Sequence, residues 1–288
     1  MLEPVKYVIV TPVKNEEKFI RGAIESVLQQ TLLPNEWVIV NDGSIDNSAS
    51  IVTEYTKRFP WLRLINLPTS TRSRGGHVVK VFLEGLCAVK NTEYDFLVKL
   101  DADLSFQPQF FQRAFQYFVD TPKLGITSGI SYTHEGDDLR EEKGAKGHTL
   151  GACKIYKRQC YDEIGGLIPN MGWDGIDEIK ARMMGWIAEP VPELMVVHHR
   201  PEGHAQGLYK SGIERGAGSY YMGYHPLFFV ARAVRYMLRP RSFLDGLGML
   251  AGYSRSVLKR EQRIADEKLV HYIRKNQIRK LLMQRSEL

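Results

Sequence analysis

The chain of 288 residues has few cysteines and no long apolar run. Its three cysteines, Cys87, Cys153 and Cys160, are scattered and form no CxxC pair. This usage is typical of a reducing compartment and argues against a disulfide scaffold or a structural zinc site. No run of about 18 apolar residues occurs, which excludes a simple membrane span. The first residues show no basic-then-apolar leader, so a cytoplasmic location is expected.

The composition is that of an ordinary globular protein, with 43% hydrophobic and 25% charged residues. The net charge of +6 is uneven, because residues 254–288 hold ten Lys/Arg and four acids while the remainder is balanced. Such a basic tail can meet anionic lipid or can be merely solvated. Nucleic acid is not expected as a partner, because aromatic and basic residues do not alternate on a strand platform.

The first two-thirds of the chain alternate strand and helix patterns. The β-branched run Tyr7–Thr11 predicts a buried strand, and the apolar stripe between Phe19 and Leu28 predicts a helix. Further strands are predicted at 37–40, 63–66 and 96–100, with helices at 48–58 and 76–89 between them. This order favours right-handed crossovers and an α/β fold with a mostly parallel sheet.

The pattern loosens after residue 100. We expect a helix at 108–118, a strand at 125–132, an exposed charged loop at 134–148, a helix at 175–184 and a strand-like segment at 188–198. Six glycines between 201 and 226 predict a long loop. Two helical stretches follow, at 226–238 and 254–284. The predicted organisation is therefore a catalytic domain at 1–200, a Gly-rich loop at 201–225 on the acceptor side, and a basic amphipathic helical extension at 226–288.

Acidic residues follow two of the predicted strands directly. Asp42 comes after the second strand, and Asp101-Ala102-Asp103 comes after the fourth. In open α/β sheets ligands bind beyond the carboxyl ends of the strands. An Asp-x-Asp pair offers hard oxygen ligands to Mg²⁺ or Mn²⁺, which also bridge phosphates. Lys14 and Lys99 flank these motifs and are expected to be surface or strand-edge charges.

Three sequence blocks closely resemble the family 2 glycosyltransferases, which have a GT-A fold. They are Val10–Glu17, Val40–Ser48 and Leu100–Asp103, in this order and at strand ends, with Ile164–Leu167 further along. The resemblance covers roughly residues 5–200. It implies a Rossmann-like three-layer sandwich, with the helical extension lying outside it.

The resemblance also implies roles at the strand ends. Thr11, Pro12 and Glu16 would line the nucleotide pocket, and Asp42 would accept a hydrogen bond from the base, with uracil N3–H as the expected donor. Within the Asp-x-Asp motif, Asp101 and Ala102 would contact the donor, Asp101 would touch the ribose or the metal, and Asp103 would bind the metal directly.

The catalytic base is implied less directly. Family members usually carry a Glu-Asp pair whose Asp is the base, and here Gly172–Glu178 stands in that place. A gapless count back from Gly185 puts Asp174 on that Asp, and Asp177, three residues on and on the same helix face, is the alternative. An acid at a helix N-terminus is also favoured by the helix dipole alone. His198 or His199 matches the position at which family members supply a third metal ligand. The alternative is that one of the two histidines serves only in packing.

The implied function is an inverting, metal-dependent transfer of a sugar from a nucleoside diphosphate, UDP above all, to a glycan or lipid-linked acceptor. A sugar-nucleotide nucleotidyltransferase is a rival, but its Gly-rich basic loop is missing after the first strand. A non-catalytic scaffold that binds membranes or partners through its basic tail is another rival. The intact set of acids argues against a non-catalytic scaffold, because a scaffold needs none of them.

The C-terminal helices are interpreted from physical chemistry alone. Residues 226–239 combine an apolar face with arginines, long enough to lie along an interface and too charged to span it. In the last helix Ile264, Leu269, Tyr272 and Ile273 share one side. Anionic headgroups would attract this extension to the inner face of a membrane. The alternative is a helical hairpin packed on the catalytic domain or on another subunit.

Overall fold

A computed structural model describes residues 5–68, 76–136, 138–142, 147–200, 207–240 and 242–283. The chain divides into two compact units. Unit 1 comprises Met1–Pro169 and Met184–Pro201, and unit 2 comprises Asn170–Met183 and Glu202–Leu288. The segment Asn170–Met183 groups with the C-terminal helices and not with the residues on either side of it in the sequence.

Unit 1 is built on a seven-stranded sheet. Its strands, labelled in chain order, are β1 (Tyr7–Val13), β2 (Glu36–Asn41), β3 (Leu62–Asn66), β4 (Phe96–Leu100), β6 (Leu124–Thr127), β9 (Cys153–Lys157) and β10 (Ile187–Ala188). The order across the sheet is β10-β6-β9-β4-β1-β2-β3. Strands β1 to β4 run parallel, whereas β9 is antiparallel to β4 and β6. The carboxyl ends of β1, β2 and β4 therefore lie at one edge.

Five helices accompany this sheet: α1 (Ile20–Leu28), α2 (Ser48–Thr56), α3 (Gly76–Cys87), α4 (Phe110–Asp120) and α5 (Arg158–Glu163). The core is rich in aromatic rings. Tyr7 lies against Phe111 and Phe115, with ring centroids 5.2 and 4.8 Å apart. Burying a large apolar side chain stabilises the fold by about 1.5–3 kcal/mol, so this α4–β1 contact anchors the first strand.

A second sheet lies in the same unit and consists of β5 (Leu104–Phe106), β7 (Ile130–Glu135), β8 (Asp138–Glu141) and β11 (Met195–His198). Its order is β5-β11-β7-β8. The single strand predicted at 125–132 is wrong, because β6 and β7 belong to different sheets. Gly129 lies between them, where a Cβ would overlap the carbonyl oxygen of Leu194.

Two other predictions for unit 1 need correction. The segment predicted as strand-like around two prolines at 188–198 holds the last residue of β10 and all of β11. Pro190 and Pro192, which lack the backbone donor that a strand uses, lie between the two strands. The charged segment predicted as a loop at 134–148 includes the end of β7 and all of β8, which pair antiparallel. Residues 137 and 143–146 of that segment lie outside the described residues.

Unit 2 is helical, with α6 (Trp173–Met183), α7 (Leu208–Tyr221), α8 (Pro226–Met237), α9 (Phe243–Leu258) and α10 (Glu267–Met283). The loop predicted at 201–226 is wrong for 208–221, which form α7, while 201–206 lie outside the described residues. The glycines permit close helix packing rather than a loop. A Cβ on Gly216 would overlap the carbonyl oxygen of Met249, and one on Gly252 would overlap that of Ile213.

The helix predicted at 254–284 is also two helices. It is interrupted between α9 and α10, close to Arg260, whose φ is 49°. The apolar side of α10 is buried, because Leu269 and Ile273 are 0% and 3% exposed. None of the helices within the described ranges is both long and apolar enough to cross a membrane.

Candidate active site

The first acid of the site, Asp42, directly follows β2 and is held by two basic side chains. Its Oδ2 lies 2.8 Å from Nε2 of His77 and 3.4 Å from Nζ of Lys14. Lys14 also donates to the Asp42 carbonyl oxygen at 3.0 Å. The Asp42 side chain is only 6% exposed. Lys14 is therefore not a simple surface charge as predicted, because it fixes the acid at the end of β2.

The second acid, Asp101, directly follows β4 and pairs with a buried lysine of that strand. Lys99 Nζ donates to Asp101 Oδ1 at 2.5 Å and to the Gly151 carbonyl oxygen at 2.8 Å. Lys99 is 2% exposed, so the prediction of a strand-edge charge is wrong. Removal from water raises the pKa of the Asp101 carboxyl, Lys99 opposes this rise, and the charge of Asp103 adds to it.

The third acid, Asp103, faces His198 at the end of β11. The Asp103 Oδ2 and His198 Nε2 atoms are 3.5 Å apart, and His198 Nδ1 lies 3.2 Å from Oε2 of Glu142. Ser131 donates to the same Glu142 oxygen. The imidazole thus lies between two carboxylates, one on each ring nitrogen.

These contacts shift both titrating groups. Burial alone would lower the pKa of His198, but the hydrogen bond and charge of Asp103, with those of Glu142, raise it to about 9. Burial would raise the pKa of Asp103, but the hydrogen bond from His198 and the charges of His198 and Arg200 lower it. In the absence of a metal, Asp103 and His198 therefore form an ion pair at neutral pH.

The neighbouring His199 points elsewhere. Its Nε2 lies 2.9 Å from the Ser105 hydroxyl, and its ring stacks near Phe19 with centroids 6.4 Å apart. Its backbone N–H donates to the Asp103 carbonyl oxygen at 2.9 Å. Burial and the charge of His134 lower the pKa of this imidazole. Of the two histidines singled out by the sequence, only His198 has its ring against the acidic motif.

Arg200 links the segment between β1 and α1 to the Asp-x-Asp motif. Its guanidinium pairs with Glu16, its Nε lies 3.8 Å from Asp103 Oδ2, and its charge sits 5.2 Å from the centre of the Phe19 ring. Arg200 thus brings Glu16, which was expected to line the nucleotide pocket, close to Asp103, which was expected to bind the metal. The sequence analysis did not single out Arg200 or Glu142. Glu142 lies in the segment 134–148, which was predicted to be an exposed charged loop.

Other predicted contact residues lie in the interior. Thr11 is fully buried, and its hydroxyl accepts a hydrogen bond from Trp37 Nε1 at 2.9 Å. Ala102 is 3% exposed and belongs to the hydrophobic core. Pro12 is half-buried in β1, beside Val40. Thr11 and Ala102 therefore position the strand ends with side chains that are used in packing.

The two candidate bases lie in unit 2, on the first turns of α6. Asp174 is half-buried, whereas Asp177 and Glu178 are 1% and 0% exposed. Asp177 Oδ1 accepts from the Glu178 backbone N–H at 2.7 Å, and Glu178 pairs with Arg182 at 3.1 Å. Asp174 is thus the more accessible of the two carboxylates.

The residues around Asp103 fit a hard divalent cation. Across the described part of the chain, no group of three or more His, Cys, Asp or Glu side chains stands in a ready-made metal cluster. Asp103 and His198 nevertheless bring together a carboxylate, which suits Mn²⁺ or Mg²⁺, and an imidazole, which is a more typical ligand of transition metals. Glu142 on Nδ1 is the outer carboxylate that commonly orients a ligating histidine.

Curated relatives match part of the chain. EpsJ of Bacillus subtilis, an uncharacterised glycosyltransferase, is 43% identical over 58 residues, which are 20% of this chain and 17% of EpsJ. A poly-beta-1,6-N-acetyl-D-glucosamine synthase of Staphylococcus epidermidis is 30% identical over 115 residues, 40% of this chain and 26% of the synthase. The matched segments thus span well under half of these relatives.

Solved structures match more of the chain. The mannosyltransferase PcManGT from Pyrobaculum calidifontis, in complex with GDP-Man and Mn²⁺, has a TM-score of 0.56 at 18% identity, covering 89% of this chain and 76% of PcManGT. S. aureus TarS 1–349 in complex with UDP-GlcNAc has a TM-score of 0.56 at 16% identity, covering 88% and 73%. This likeness confirms the expected GT-A fold.

The family profile described as "Glycosyl transferase family 2" matches residues 8–172, more than half of the chain. This segment contains Asp42, Asp101 and Asp103, and it ends before Asp174 and His198. The three motifs, the sheet edge that gathers them and this match agree, and the chain belongs to glycosyl transferase family 2.

Proposed function

We propose that the chain is an inverting, metal-dependent glycosyltransferase that moves a sugar from a nucleoside diphosphate, UDP above all, to a glycan or lipid-linked acceptor. The observation that carries this proposal is the Asp103–His198–Glu142 contact beside Asp101. The names of two relatives support the donor and acceptor classes, since one is a polysaccharide synthase and the other was solved with UDP-GlcNAc.

On the donor side, the Asp42 carboxylate would accept a hydrogen bond from uracil N3–H. His77 and Lys14 hold that carboxylate in place at the sheet edge. Asp103 and His198, with Asp101, would hold Mn²⁺ or Mg²⁺, as the Mn²⁺ in the PcManGT complex also suggests. When bound, such an ion stabilises the negative charge of a departing diphosphate.

Arg200 would contribute a second positive charge on the donor side. In the structure its guanidinium is shared between Glu16 and Asp103. A planar guanidinium offers several donors that match phosphate oxygens. On donor binding, Arg200 would then leave Glu16 and bind the diphosphate.

On the acceptor side, Asp174 would take the proton of the attacking hydroxyl. The acceptor oxygen forms a bond to the anomeric carbon from the face opposite the nucleotide, while the bond from that carbon to the phosphate oxygen breaks. A single displacement inverts the anomeric centre, and the electron pair leaves with the nucleoside diphosphate. The partial exposure of Asp174 supports it over the buried Asp177. We place this reaction in the cytoplasm, on the inner face of the membrane when the acceptor is lipid-linked.

Replacing Asp103 tests the donor site. Asp103→Asn should abolish Mn²⁺-dependent binding of UDP and UDP-sugars, because it removes a charged ligand. Asp120→Asn, an exposed acid at the end of α4, is the matched control and should bind as the parent does. Binding is measured by calorimetry with UDP-GlcNAc and GDP-Man, with and without Mn²⁺. Unchanged Mn²⁺-dependent binding in Asp103→Asn would refute the metal role, and stronger GDP-Man binding would refute UDP as the donor nucleotide.

A second pair of variants tests the base. Asp174→Asn should keep donor binding and lose transfer by about 10²–10⁴-fold, the range that general base catalysis contributes. Asp177→Asn should keep transfer in whatever fraction folds, because its carboxylate bonds to the backbone inside unit 2. Transfer is followed as release of nucleoside diphosphate. Loss of transfer only in Asp177→Asn would reverse the assignment.

A further inference from the structure

Helices α8 and α9 form an antiparallel hairpin. Gly246 near the start of α9 lies against Ala233 and Met237 near the end of α8. Further along, the Tyr253 ring stacks on Phe229 with centroids 4.1 Å apart. These contacts fix which side of each helix faces its partner. Helix α9 also packs against α7 on another side, and the remaining side of the hairpin faces solvent.

The solvent side of this hairpin is apolar. Seven large side chains that are 37–80% exposed lie on it, and we call them the hairpin face: Leu227, Val230, Val234 and Leu238 from α8 and the residue after it, and Phe243, Leu244 and Leu247 from α9. The α8 members recur at intervals of three or four residues, which places them in one stripe. Leu238 is 80% exposed and Phe243 56%, close to the turn between the helices. A grouped set of this kind marks an interaction surface more often than scattered single residues do.

The charge around the hairpin face has one sign. Residues 226–258 contain five arginines and a single acid, Asp245. Asp245 is 4% exposed and pairs with Arg215 at 2.5 Å, so it offers no negative charge to the surface. Arg235 and Arg239 are exposed and follow Val234 and Leu238 in the sequence. Apolar side chains flanked by arginines match a surface that combines acyl chains with anionic headgroups.

We propose that the hairpin face docks unit 2 onto an anionic lipid bilayer, with Leu238 and Phe243 inserted at the level of the headgroups. A second copy of the chain fits less well, because two such faces would bring their arginines together. The inference also relocates the lipid contact predicted from the sequence. Both C-terminal helical stretches were expected to supply it, yet Leu269 and Ile273 of α10 are buried, which leaves the α8 and α9 side chains as the contact.

Vesicle co-sedimentation of the full chain tests this inference. Vesicles of phosphatidylglycerol and phosphatidylcholine should retain the protein, and pure phosphatidylcholine vesicles should retain much less. At about 1 kcal/mol per basic residue, Arg235→Gln with Arg239→Gln should lower the partition coefficient about 30-fold. Leu238→Ser with Phe243→Ser should lower it at least about 30-fold, since each exchange removes a side chain whose burial gains more than a kilocalorie.

The matched control is Leu282→Ser on α10, a leucine that is 63% exposed outside the hairpin face. It should bind vesicles as the parent does, and thermal melts should show all variants folded. Equal binding of the Leu238→Ser, Phe243→Ser variant and the parent overturns the proposal. The proposal is also overturned if the parent binds no vesicles and instead forms a dimer in light scattering that this variant does not form. UDP binding is measured in parallel and should be unchanged in all variants. A failure of the lipid-docking proposal can then be distinguished from a failure of the proposed function.

Discussion

Glu142 offers a sharp test of the site, because it contacts His198 on the ring nitrogen opposite the one that faces Asp103. Its Oε2 lies 3.2 Å from His198 Nδ1, and its side chain is 17% exposed. A hydrogen bond to a charged group is worth about 1.5–3 kcal/mol. Glu142→Gln keeps the shape and removes the charge. We expect the half-saturating Mn²⁺ concentration to rise about 10–100-fold, the usual cost of losing an outer partner of a ligating histidine.

The assay is the Mn²⁺ dependence of UDP binding and of transfer. At saturating Mn²⁺ the turnover of Glu142→Gln should approach that of the parent, because Glu142 only positions His198. Glu141→Gln, on the exposed neighbour in β8, is the control and should leave the Mn²⁺ dependence unchanged. The same Mn²⁺ dependence in Glu142→Gln and the parent would refute the reasoning that His198 is a ligand oriented by Glu142.

Two further predictions concern stability. In metal-free buffer the pKa of His198 is about 9 in the folded chain against an ordinary 6.5. Its contribution of about 3 kcal/mol to the unfolding free energy should be full below pH 6.5 and lost as the pH rises through 9. His198→Gln should remove this pH dependence of the unfolding free energy, measured by urea titration. An unchanged pH dependence would contradict the assignment of the raised pKa to His198. Gly252→Ala should lower the stability of unit 2 by about 1–3 kcal/mol through overpacking against Ile213. The control, Gly22→Ala, has nothing within 4 Å of the new Cβ and should stabilise α1 by about 0.5–1 kcal/mol, so equal melting shifts for the two variants would contradict the packing argument.

The parallel part of the fold was predictable because each element carries its own pattern. The strand at Phe96–Leu100 and the helix starting at Gly76 have the predicted positions. The errors have a common physical cause, which is contact between segments distant in sequence. The glycines of α7 indicate a loop in isolation and become favourable only when α9 lies against them.

The candidate site shows the same limit. Motifs beside the strands identified Asp42, Asp101 and Asp103, because strand ends can be located from local patterns. Glu142 and Arg200 could not be found in this way, since their roles depend on β8 and β11 lying side by side with other strands of the second sheet. The two adjacent histidines could be singled out from the sequence, but choosing between them needed the ring directions.

The strand order β5-β11-β7-β8 has a consequence for how the chain acquires this site during synthesis. β11 is the last of the four to leave the ribosome, yet it occupies the place between β5 and β7. Those two strands cannot complete their ladder until residues 195–198 arrive, because β11 pairs with both. A nascent chain ending at residue 172 would already carry every acid of the matched family segment and still lack the imidazole. Assembly of the Asp103–His198 contact is thus a late, long-range event, and such closures are slow relative to local helix formation.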